Sequence, residues 1–515
     1  MTAKAYSVAF DGIDARLVEV QCAIAAGIPA FAIVGLPDKA VSEARERVRA
    51  ALGAMAISLP SARIAINLSP ADLPKEGAHF DLAIALAVLA ELEVIPKEAV
   101  ERTVAMGELA LDGRLVAVIG ALPAAVAAGA GDRTLMCPRD SGAEAAWVSS
   151  VEVLAPASLA QAIDHFTGRV PLSAARAGEV TTGAGASCLS EVRGQERAKR
   201  ALEIAAAGRH HLLLVGSPGA GKSMLAARLP GLTPPLTPLE ALATSMIHSI
   251  AGLIADGGID RTRPYRRPHH TASPPAIVGG GRGAKPGEIS LAHNGVLFLD
   301  ELPEFPRQVL ETLRQPIESG EVFVARANAH VRYPCRFLLV AAANPCRCGH
   351  LAEPARACAR APACGEDYMG RISGPLMDRF DLRVEVPPVA IDDLALPSGG
   401  ETSADVAARV AEARARQTDR YAAEPEIRCN ADAGGDLLDR VAMPDAESRA
   451  FLQSVANRVG LSARGYHRVL RVGRTIADLD GADMVSRAHV AEALGFRLAR
   501  PQARADGTAP AQKAV

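Results

Sequence analysis

The sequence predicts an α/β protein in three parts, with a parallel-sheet core between an N-terminal α/β domain and a C-terminal helical domain. Short Val/Ile/Ala strands alternate with Ala-rich helical patterns over residues 1–170. An apolar run at 211–215 leads into a glycine-rich turn and then a helical pattern, as in the strand–turn–helix unit of a parallel sheet. From residue 405 the chain is rich in Arg and Ala at helical spacing.

Length, net charge, apolar runs and cysteine count limit the classes of protein that this chain can belong to. A chain of 515 residues is long enough for about three domains. The net charge of −2 gives no global electrostatic case for or against nucleic acid. Charge-free apolar runs of about 18 residues are lacking, and Asp11 and Asp14 fall where a signal peptide would be apolar. The nine cysteines, an odd number, argue against a disulfide framework, so we expect a cytoplasmic protein.

The glycine-rich turn has the pattern G-x-x-x-x-G-K-[ST] in its expected setting, after a strand and before a helix. Glycines let backbone N–H groups surround a β-phosphate, and the helix N-terminus adds partial positive charge. The predicted ATP-binding residues are Gly216, Ser217, Pro218, Gly219, Ala220, Gly221, Lys222, Ser223 and Met224. Within this set, Lys222 would reach the β- and γ-phosphates and Ser223 would bind Mg²⁺.

Two further apolar strands end in polar residues. The segment 296–301, VLFLDE, ends in Asp300, a predicted Mg²⁺ ligand through water, and Glu301, a predicted general base for the attacking water. The segment 336–345 ends in Asn344-Pro345. Together with the phosphate loop, these strands predict an ATPase.

This set of motifs resembles the AAA+ ATPases, and the resemblance implies several further roles. Asn344 matches the sensor-1 residue near the γ-phosphate, and Val192 and Gln195 match the V-x-G-Q stretch that lies against adenine. Arg379 would act in trans on the nucleotide of a neighbouring subunit in a ring. Arg464 matches the sensor-2 arginine of the helical lid; Arg468 and Arg471 share its helical face, so the choice among the three stays open.

Two insertions, 263–295 and the hairpin-like 320–337, resemble the helix-2 insert and the pre-sensor-1 hairpin of the magnesium-chelatase and replicative-helicase branch of AAA+ proteins. In a ring they would face the central channel, where basic residues bind phosphates without sequence preference. Their basic residues include Arg263, Arg266 and Arg267, and the main DNA-contact candidates are Arg282, Lys285, Arg326 and Arg332. The alternative is a solvated charged loop.

Residues 73–81 resemble the active-site segment of Lon-type peptidase domains, which have a ribosomal-S5-like α/β fold. The nucleophilic serine of that family falls on His79 here, and its general-base lysine falls near Leu122. Neither side chain supports a Ser–Lys attack, because imidazole is not a hydroxyl and leucine has no amine. The resemblance therefore implies a Lon-like domain that is inactive as a peptidase.

The chain up to about residue 500 resembles the ComM/YifB family of magnesium-chelatase-like AAA+ ATPases, on the segments 31–41, 67–77 and 266–273. This resemblance implies a homo-hexameric motor that drives helicase activity or branch migration on single-stranded or branched DNA during natural transformation. The implied domains are a Lon-like domain (1–170), a linker (171–190), an AAA+ core (191–390), a helical lid (405–500) and a disordered tail (501–515).

Four cysteines, Cys346, Cys348, Cys358 and Cys364, crowd into the stretch after Asn344. Such a group in a reducing compartment favours a structural Zn²⁺, with His350 able to replace one ligand; free thiols are the alternative. The second half of the cluster is C-x₅-C where the family has a closer pair, which loosens the match.

Three other functions fit parts of the sequence. A chelatase-type motor would remodel a protein partner for metal insertion and would not respond to DNA. An ATP-driven protease would need the catalytic residues that His79 and Leu122 replace. A nucleotide-gated binding protein would keep its activity when Glu301→Gln holds it in the ATP state.

Overall fold

The computed structural model describes residues 2–183, 187–281, 283–325, 330–351, 356–389 and 400–498. Two of the predicted DNA contacts, Arg282 and Arg326, and the predicted tail at 501–515 lie outside these ranges. No helix in the described part of the chain is both long enough and apolar enough to cross a membrane.

The N-terminal domain is built on a seven-stranded mixed sheet with the order β3-β4-β2-β1-β5-β8-β9. Its first two strands form a long antiparallel hairpin, and β4 pairs with β2 in antiparallel. The pairs β1–β5, β3–β4, β5–β8 and β8–β9 are parallel. The strands of the domain, including the small β6–β7 ribbon, are β1 (Ala3–Asp11), β2 (Asp14–Ala25), β3 (Ala30–Val34), β4 (Arg63–Ser69), β5 (Thr103–Ala105), β6 (Glu108–Leu109), β7 (Leu115–Val116), β8 (Thr134–Met136) and β9 (Val153–Leu154).

Helices cover this sheet and close the N-terminal core. They are α1 (Lys39–Ala54), α2 (Asp81–Glu91), α3 (Lys97–Glu101), α4 (Ala121–Ala130), α5 (Arg139–Ala145) and α6 (Leu159–Phe166). The sequence of α2 is apolar all round, and the helix is buried along almost its whole length. Its one buried carboxylate, Asp81, is bound by Arg47 at 2.6 and 2.9 Å.

The central domain is built on five parallel strands in the order β13-β16-β19-β11-β20. Three of them are continuous buried apolar runs, as expected for a parallel sheet that is covered on both faces. The strands from the linker through this domain are β10 (Val180–Thr181), β11 (Leu212–Val215), β12 (Ile259–Asp260), β13 (Tyr265–Arg266), β14 (Gly279–Gly280), β15 (Lys285–Pro286), β16 (Val296–Leu299), β17 (Glu321–Ala325), β18 (His330–Pro334), β19 (Leu338–Ala343) and β20 (Leu382–Glu385).

The helices of the central domain pack around this sheet and carry the insertions. They are α7 (Glu196–Gly208), α8 (Lys222–Ala226), α9 (Leu229–Leu232), α10 (Pro238–Ala251), α11 (Pro274–Val278), α12 (Glu288–Leu291), α13 (Arg307–Thr312), α14 (Arg314–Ser319), α15 (Ala363–Met369) and α16 (Gly374–Met377). Strands β17 and β18 form an antiparallel hairpin, as the alternating pattern at 320–337 predicts.

The C-terminal region is helical and packs against α7 and the central sheet in one continuous apolar cluster. Its helices are α17 (Ser403–Arg420), α18 (Gly435–Ala442), α19 (Ala446–Val459), α20 (Ala463–Leu479) and α21 (Arg487–Arg497). The buried carboxylate of Asp478 joins two of them, because it accepts from Arg420 on α17 and from Arg474 on its own helix.

Residues 180–181, in the segment expected to be a linker, form a short strand. Strand β10 pairs in parallel with β12 from the central domain, and the N–H of Ile259 donates to the carbonyl of Glu179 at 3.1 Å. This part of the segment therefore belongs to the packed structure, because a two-residue strand can form on backbone hydrogen bonds alone, without any apolar pattern.

Candidate nucleotide site

All five central strands run in the same direction, so the sheet has a carboxyl edge and an amino edge with different residues. The phosphate loop, the Asp300-Glu301 pair and Asn344 each follow a strand, and they meet at the carboxyl edge. Residues that precede strands, including Arg209, Arg336 and Arg379, lie at the amino edge.

The phosphate loop joins β11 to α8 in a conformation that requires glycine. Gly219 and Gly221 have φ values of +79° and +89°, in the left-handed region. A side chain at Gly216 would place its Cβ 2.1 Å from the carbonyl oxygen of Val386. The loop can therefore turn back over the strand and present its backbone to a phosphate only with glycine at these positions.

The side chain of Lys222 is buried in the loop that it would use to bind ATP. Its Nζ donates to the carbonyls of Gly216 and Ser217 at 2.7 and 2.9 Å and to Oδ1 of Asn344 at 3.0 Å. Burial lowers its pKa, against the opposing charges of Asp300 and Glu301. Asn344 thus lies beside the lysine, where a side chain that senses a γ-phosphate is needed.

Ser223 and Asp300 supply the oxygen atoms that a Mg²⁺ ion prefers. The Ser223 hydroxyl donates to Oδ2 of Asp300 at 2.8 Å, so the two predicted ligands are adjacent and fit a single ion. The same carboxylate oxygen accepts from Arg267 at 2.7 Å. The sequence does not predict this contact, because it indicates only that Arg267 is one of several basic residues in the first insertion.

Glu301, the predicted general base, is half-exposed and adopts a left-handed backbone with φ of +53°. Its Oε2 lies 3.5 Å from Nδ1 of His270, a histidine that the sequence analysis did not single out as a site residue. The signal for His270 is its place in the RRPHHTAS segment, four residues after the end of β13, the strand that neighbours β16.

Gln195 connects α7 to the phosphate loop and to the end of β20. Its Nε2 donates to the carbonyl of Pro387 at 2.5 Å and approaches that of Ala220 at 3.5 Å. Val192 is buried in the apolar cluster beneath these residues. Of the two residues predicted to contact the base, Gln195 therefore lies next to the phosphate loop.

A basic cavity of about 380 Å³ lies at the amino edge of the sheet, between the central and C-terminal domains. Six arginines line it: Arg209, Arg336, Arg379, Arg464, Arg468 and Arg471. The acidic residues in its wall are Glu318, Asp381 and Asp432. Burial alone would raise the pKa of Asp381, but Arg468 and His210 hold it well below its usual range.

The structure distinguishes the arginines that the sequence left equivalent. Arg379 is only 4% exposed and is ion-paired with Glu318. Arg468 donates to the Arg379 carbonyl at 2.9 Å, and Arg471 donates to the Ala433 carbonyl at 2.6 Å. Arg464 is exposed at the mouth of the same cavity. These arginines lie at the amino edge, whereas the phosphate loop of the same chain lies at the carboxyl edge.

The insertions separate into residues that pack and residues that face outward. Arg263 donates hydrogen bonds to the carbonyls of Pro234 and Asn294 at 2.7 and 2.8 Å. Arg266 forms a bidentate ion pair with the carboxylate of Glu288. Within one chain the charges of these two arginines are therefore paired locally, and their place in a channel stays a prediction. Lys285 is exposed on β15.

The β17–β18 hairpin presents an aromatic ring beside a cation. Phe323 and Arg332 are cross-strand partners, so both side chains lie on one face, where they are 53% and 63% exposed. The opposite face is buried through Val322, Val324 and Tyr333. Phe323 was missed by the sequence analysis, because in an alternating strand only the register shows which apolar residue faces outward.

The segment that resembles a peptidase site has neither a hydroxyl nor an amine at the two positions where the family has its serine and lysine. His79 is buried, with Nε2 2.8 Å from the Val8 carbonyl, and Leu122 is fully buried in α4. His79 lines a cavity of about 870 Å³ between the N-terminal domain and the central insertions. Its wall includes Lys285 from β15 and Tyr333 from the hairpin.

Three of the four cysteines in the predicted cluster come together. The Sγ atoms of Cys346, Cys348 and Cys364 all lie within 4.8 Å of one another, and Cys358 hydrogen-bonds to Cys348. A tetrahedral Zn²⁺ with Zn–S distances of about 2.3 Å separates its sulfurs by just under 4 Å, so these residues fit the ion. A backbone hydrogen bond from His350, aided by Cys346, lowers the pKa of Cys348 to about 6.

Comparison with known proteins matches nearly the whole chain. Residues 188–394 match the family described as magnesium chelatase, subunit ChlI; residues 18–141 match subunit ChlI of Mg-chelatase; and residues 400–497 match its C-terminal region. The chain is 43% identical to "Competence protein ComM" of Haemophilus influenzae over 498 residues, which is 96% of each protein.

Two further relatives extend the comparison. The chain is 42% identical to "Uncharacterized protein YifB" of Escherichia coli over 489 residues, covering 94% of this chain and 95% of that protein. It is 28% identical to the "Magnesium-chelatase 38 kDa subunit" of Rhodobacter capsulatus over 63% of this chain and 92% of that protein. With its parallel-sheet core, its ATP and Mg²⁺ site and its helical C-terminal region, the chain belongs to the ComM/YifB family of magnesium-chelatase-like AAA+ ATPases.

Proposed function

We propose that this ATPase is a ring-forming motor, a homo-hexamer, that moves along DNA and acts as a helicase or in branch migration of transforming DNA. One observation carries the proposal: each chain holds the two halves of an ATPase site on opposite edges of one sheet. The carboxyl edge has the phosphate loop, and the amino edge has the cavity lined by six arginines. A ring brings the arginine edge of one subunit to the phosphate edge of the next.

Within one subunit, ATP binding would replace hydrogen bonds between protein groups with contacts to the phosphates and Mg²⁺. Lys222 would leave the carbonyls of Gly216 and Ser217 for the β- and γ-phosphates. Ser223 and Asp300 would hold Mg²⁺, which when bound neutralises charge on the phosphates. Glu301 would orient the attacking water and accept its proton, while Asn344 positions the γ-phosphate from the side of Lys222.

The neighbouring subunit would complete the site. Arg464 is exposed and can approach a γ-phosphate across an interface, whereas Arg379 must first leave Glu318. An arginine supplied in this way stabilises charge that develops in the transition state. Hydrolysis would then depend on how tightly two subunits close, and this dependence can couple the ATPase cycle to movement.

The hairpin is the proposed DNA-contacting element. An exposed aromatic ring can stack on a base, and an adjacent cation can bind a phosphate, which together suit single strands without sequence preference. Phe323 and Arg332 supply this pair, and Lys285 adds a second exposed cation. The name of the Haemophilus relative, a competence protein, supports DNA as the substrate of the motor.

The remaining parts would have structural roles. The N-terminal domain would be a Lon-like fold without peptidase activity, because His79 and Leu122 replace the catalytic residues and are buried. The cysteine cluster would hold a structural Zn²⁺.

The test is the ATPase rate of the purified protein with and without single-stranded or forked DNA, at low and moderate salt. We expect DNA to raise the rate, salt to reduce the stimulation, and Lys222→Ala to abolish hydrolysis under all conditions. Phe323→Ala should keep the basal rate and lose most of the stimulation, because base stacking contributes about 1–3 kcal/mol per base. Arg487→Gln, at an exposed ion pair on α21, is the matched surface control.

The chelatase-type alternative predicts a different outcome. A rate that depends on Lys222 but ignores DNA, and is unchanged in Phe323→Ala, would reject the DNA motor and favour a motor that acts on a protein partner. A Glu301→Gln variant that binds ATP without hydrolysing it and still performs its DNA reaction would favour a nucleotide-gated binding protein.

A further inference from the structure

We propose that Cys346, Cys348, Cys358 and Cys364 bind a Zn²⁺ ion that holds the loop after Asn344 against the phosphate loop, so that the metal sets the rate of ATP turnover. This inference rests on the proposed ATPase site. It extends the proposed structural role of the metal to control of that site.

The cysteines come from both ends of the segment between β19 and α15, and the sulfurs of Cys346, Cys348 and Cys364 lie within 4.8 Å of one another. Cys346 is fully buried two residues after Asn344, and Cys364 lies in the first turn of α15. Cys358 hydrogen-bonds to both Cys348 and Cys364, which links the two ends. The Cys346 and Cys348 sulfurs are 3.1 Å apart, well beyond a disulfide of about 2.05 Å, so all four thiols are available to a metal.

The loop touches the phosphate loop directly. Gly349 has φ of +83°, and a Cβ on it would lie 2.5 Å from Cδ of Pro218. The position therefore accepts only glycine, both for its backbone conformation and for this close contact. A second connection runs through Asn344, whose Oδ1 accepts from Lys222.

A metal at this place would limit the movement of two nucleotide-binding elements together. Binding by four thiolates fixes the ends of the loop, and through Gly349 and Asn344 it fixes Pro218 and the lysine partner. Without the metal, the two contacts would depend on weak thiol hydrogen bonds and on backbone that has little regular structure. We therefore expect loss of Zn²⁺ to lower the affinity for ATP and the turnover, with the overall fold retained.

The first experiment measures zinc by elemental analysis of the purified full-length chain, and measures ATPase kinetics on the same samples. We expect about one zinc per chain in the wild type, much less in Cys348→Ser, and unchanged zinc in Cys22→Ala, a buried cysteine of the N-terminal sheet. Cys348→Ser should show a several-fold higher KM for ATP with unchanged circular dichroism. Treatment of the wild type with a zinc-selective chelator should reproduce that change.

A second variant separates metal binding from its effect on ATP. Gly349→Ala should keep its zinc but raise KM several-fold, because the added Cβ pushes the loop from Pro218. Gly113→Ala, at a turn with φ of +84° and no closer neighbour than 3.9 Å, is the matched control.

The outcomes separate this inference from the proposed ATPase. A wild type that hydrolyses ATP without bound zinc would reject the metal site and leave the ATPase intact. Zinc that can be removed without any change in KM or turnover would reject the control of ATP turnover. A zinc-loaded wild type without ATPase activity would reject the proposed function while the metal site stands.

Discussion

At the scale of single residues, the side chains of the nucleotide site are hydrogen-bonded within the chain. Lys222 is held by two carbonyls and Asn344, and Asp300 is held by Ser223 and Arg267. Each of these contacts must be exchanged when ATP and Mg²⁺ enter. The site is therefore preorganised, since the groups stand close to their working positions and only short movements are needed.

The buried side chain of His293 makes the stability of the central domain depend on pH. His293 is buried, and its Nδ1 accepts from the backbone N–H of Arg336 at 3.1 Å, so the ring must be unprotonated at this atom. Burial, with help from Arg428 and Arg336, lowers its pKa to about 3. An unfolded histidine has a pKa of about 6.5, so between these values the unfolded chain binds the extra proton and stability is lost as pH falls.

We therefore expect the urea midpoint of unfolding to decrease as pH is lowered from about 6.5 towards 4, with His293 contributing up to about 1.4 kcal/mol per pH unit. In His293→Asn the midpoint should be lower at neutral pH, and its pH dependence should be shallower. His467→Asn, at an exposed histidine on α20, should leave the pH dependence unchanged. A slope in His293→Asn equal to that of the wild type would contradict the assignment.

The site residues differ in how far the sequence predicts them. Lys222, Ser223 and Asp300 are predicted because each follows a buried strand, and strand ends in a parallel sheet meet at one edge. The contacts of Arg267 with Asp300 and of Arg379 with Glu318 join residues 33 and 61 positions apart, and nothing in their local sequence indicates them. Their positions depend on how the insertions fold back over the sheet, which periodicity does not encode.

At the scale of elements, the turn between β1 and β2 links the N-terminal domain to the β17–β18 hairpin, which is the proposed DNA-contacting element. Gly12 has φ of +71°, and a Cβ on it would lie 2.8 Å from the carbonyl oxygen of Arg332. Ile13, the next residue, packs on the apolar cluster of the central domain. The base of the hairpin is therefore held between its own domain and this turn.

Replacement of Gly12 should disturb the hairpin from a distance. Gly12→Ala adds a methyl group against Arg332 and strains a left-handed backbone, which costs about 1 kcal/mol or more. We expect weaker DNA stimulation of the ATPase with a normal basal rate, and faster proteolysis at the hairpin. Gly168→Ala, with φ of +72° and open space around it, carries the same backbone strain without the contact and should behave as wild type. Equal effects in the two variants would show that strain alone is responsible.

The sequence predicts the helices and strands well, but it does not predict which of them contact one another. The apolar pattern of α2 and the alternation in β17 and β18 predict helix and hairpin correctly. The contact between the β1–β2 turn and the hairpin was not predicted, because a two-residue turn has no periodicity to reveal what it touches. For the same reason the sequence predicts a linker where β10 forms, although this strand pairs with β12.

At the scale of the whole molecule, the N-terminal and central domains form a continuous body. Trp147 donates to the Gly257 carbonyl at 2.8 Å, and the buried Glu144 accepts from Ser249 on α10. The large cavity that contains His79 lies between the two domains rather than at the surface of either. Movement of the insertions during an ATPase cycle would therefore change the shape of this cavity.

Assembly can be tested by mixing two inactive proteins. Lys222→Ala lacks a working phosphate loop but keeps its arginines, and Arg464→Ala keeps the loop but lacks the exposed arginine. Each alone should have a greatly reduced ATPase rate. After dissociation and joint reassembly, the mixture should regain activity, because some interfaces pair an intact loop with an intact arginine edge. A mixture that stays as inactive as its components would contradict a shared site.

The placement of the two half-sites on opposite edges of the sheet also has a genetic consequence. In the proposed ring, a Lys222→Ala chain made in the same cell as the normal protein would assemble with normal subunits and interrupt the order in which neighbouring subunits hydrolyse ATP. Such an allele would therefore be dominant, and its severity would rise with gene dosage. A truncation that removes both edges could not join a ring, and that allele would be recessive.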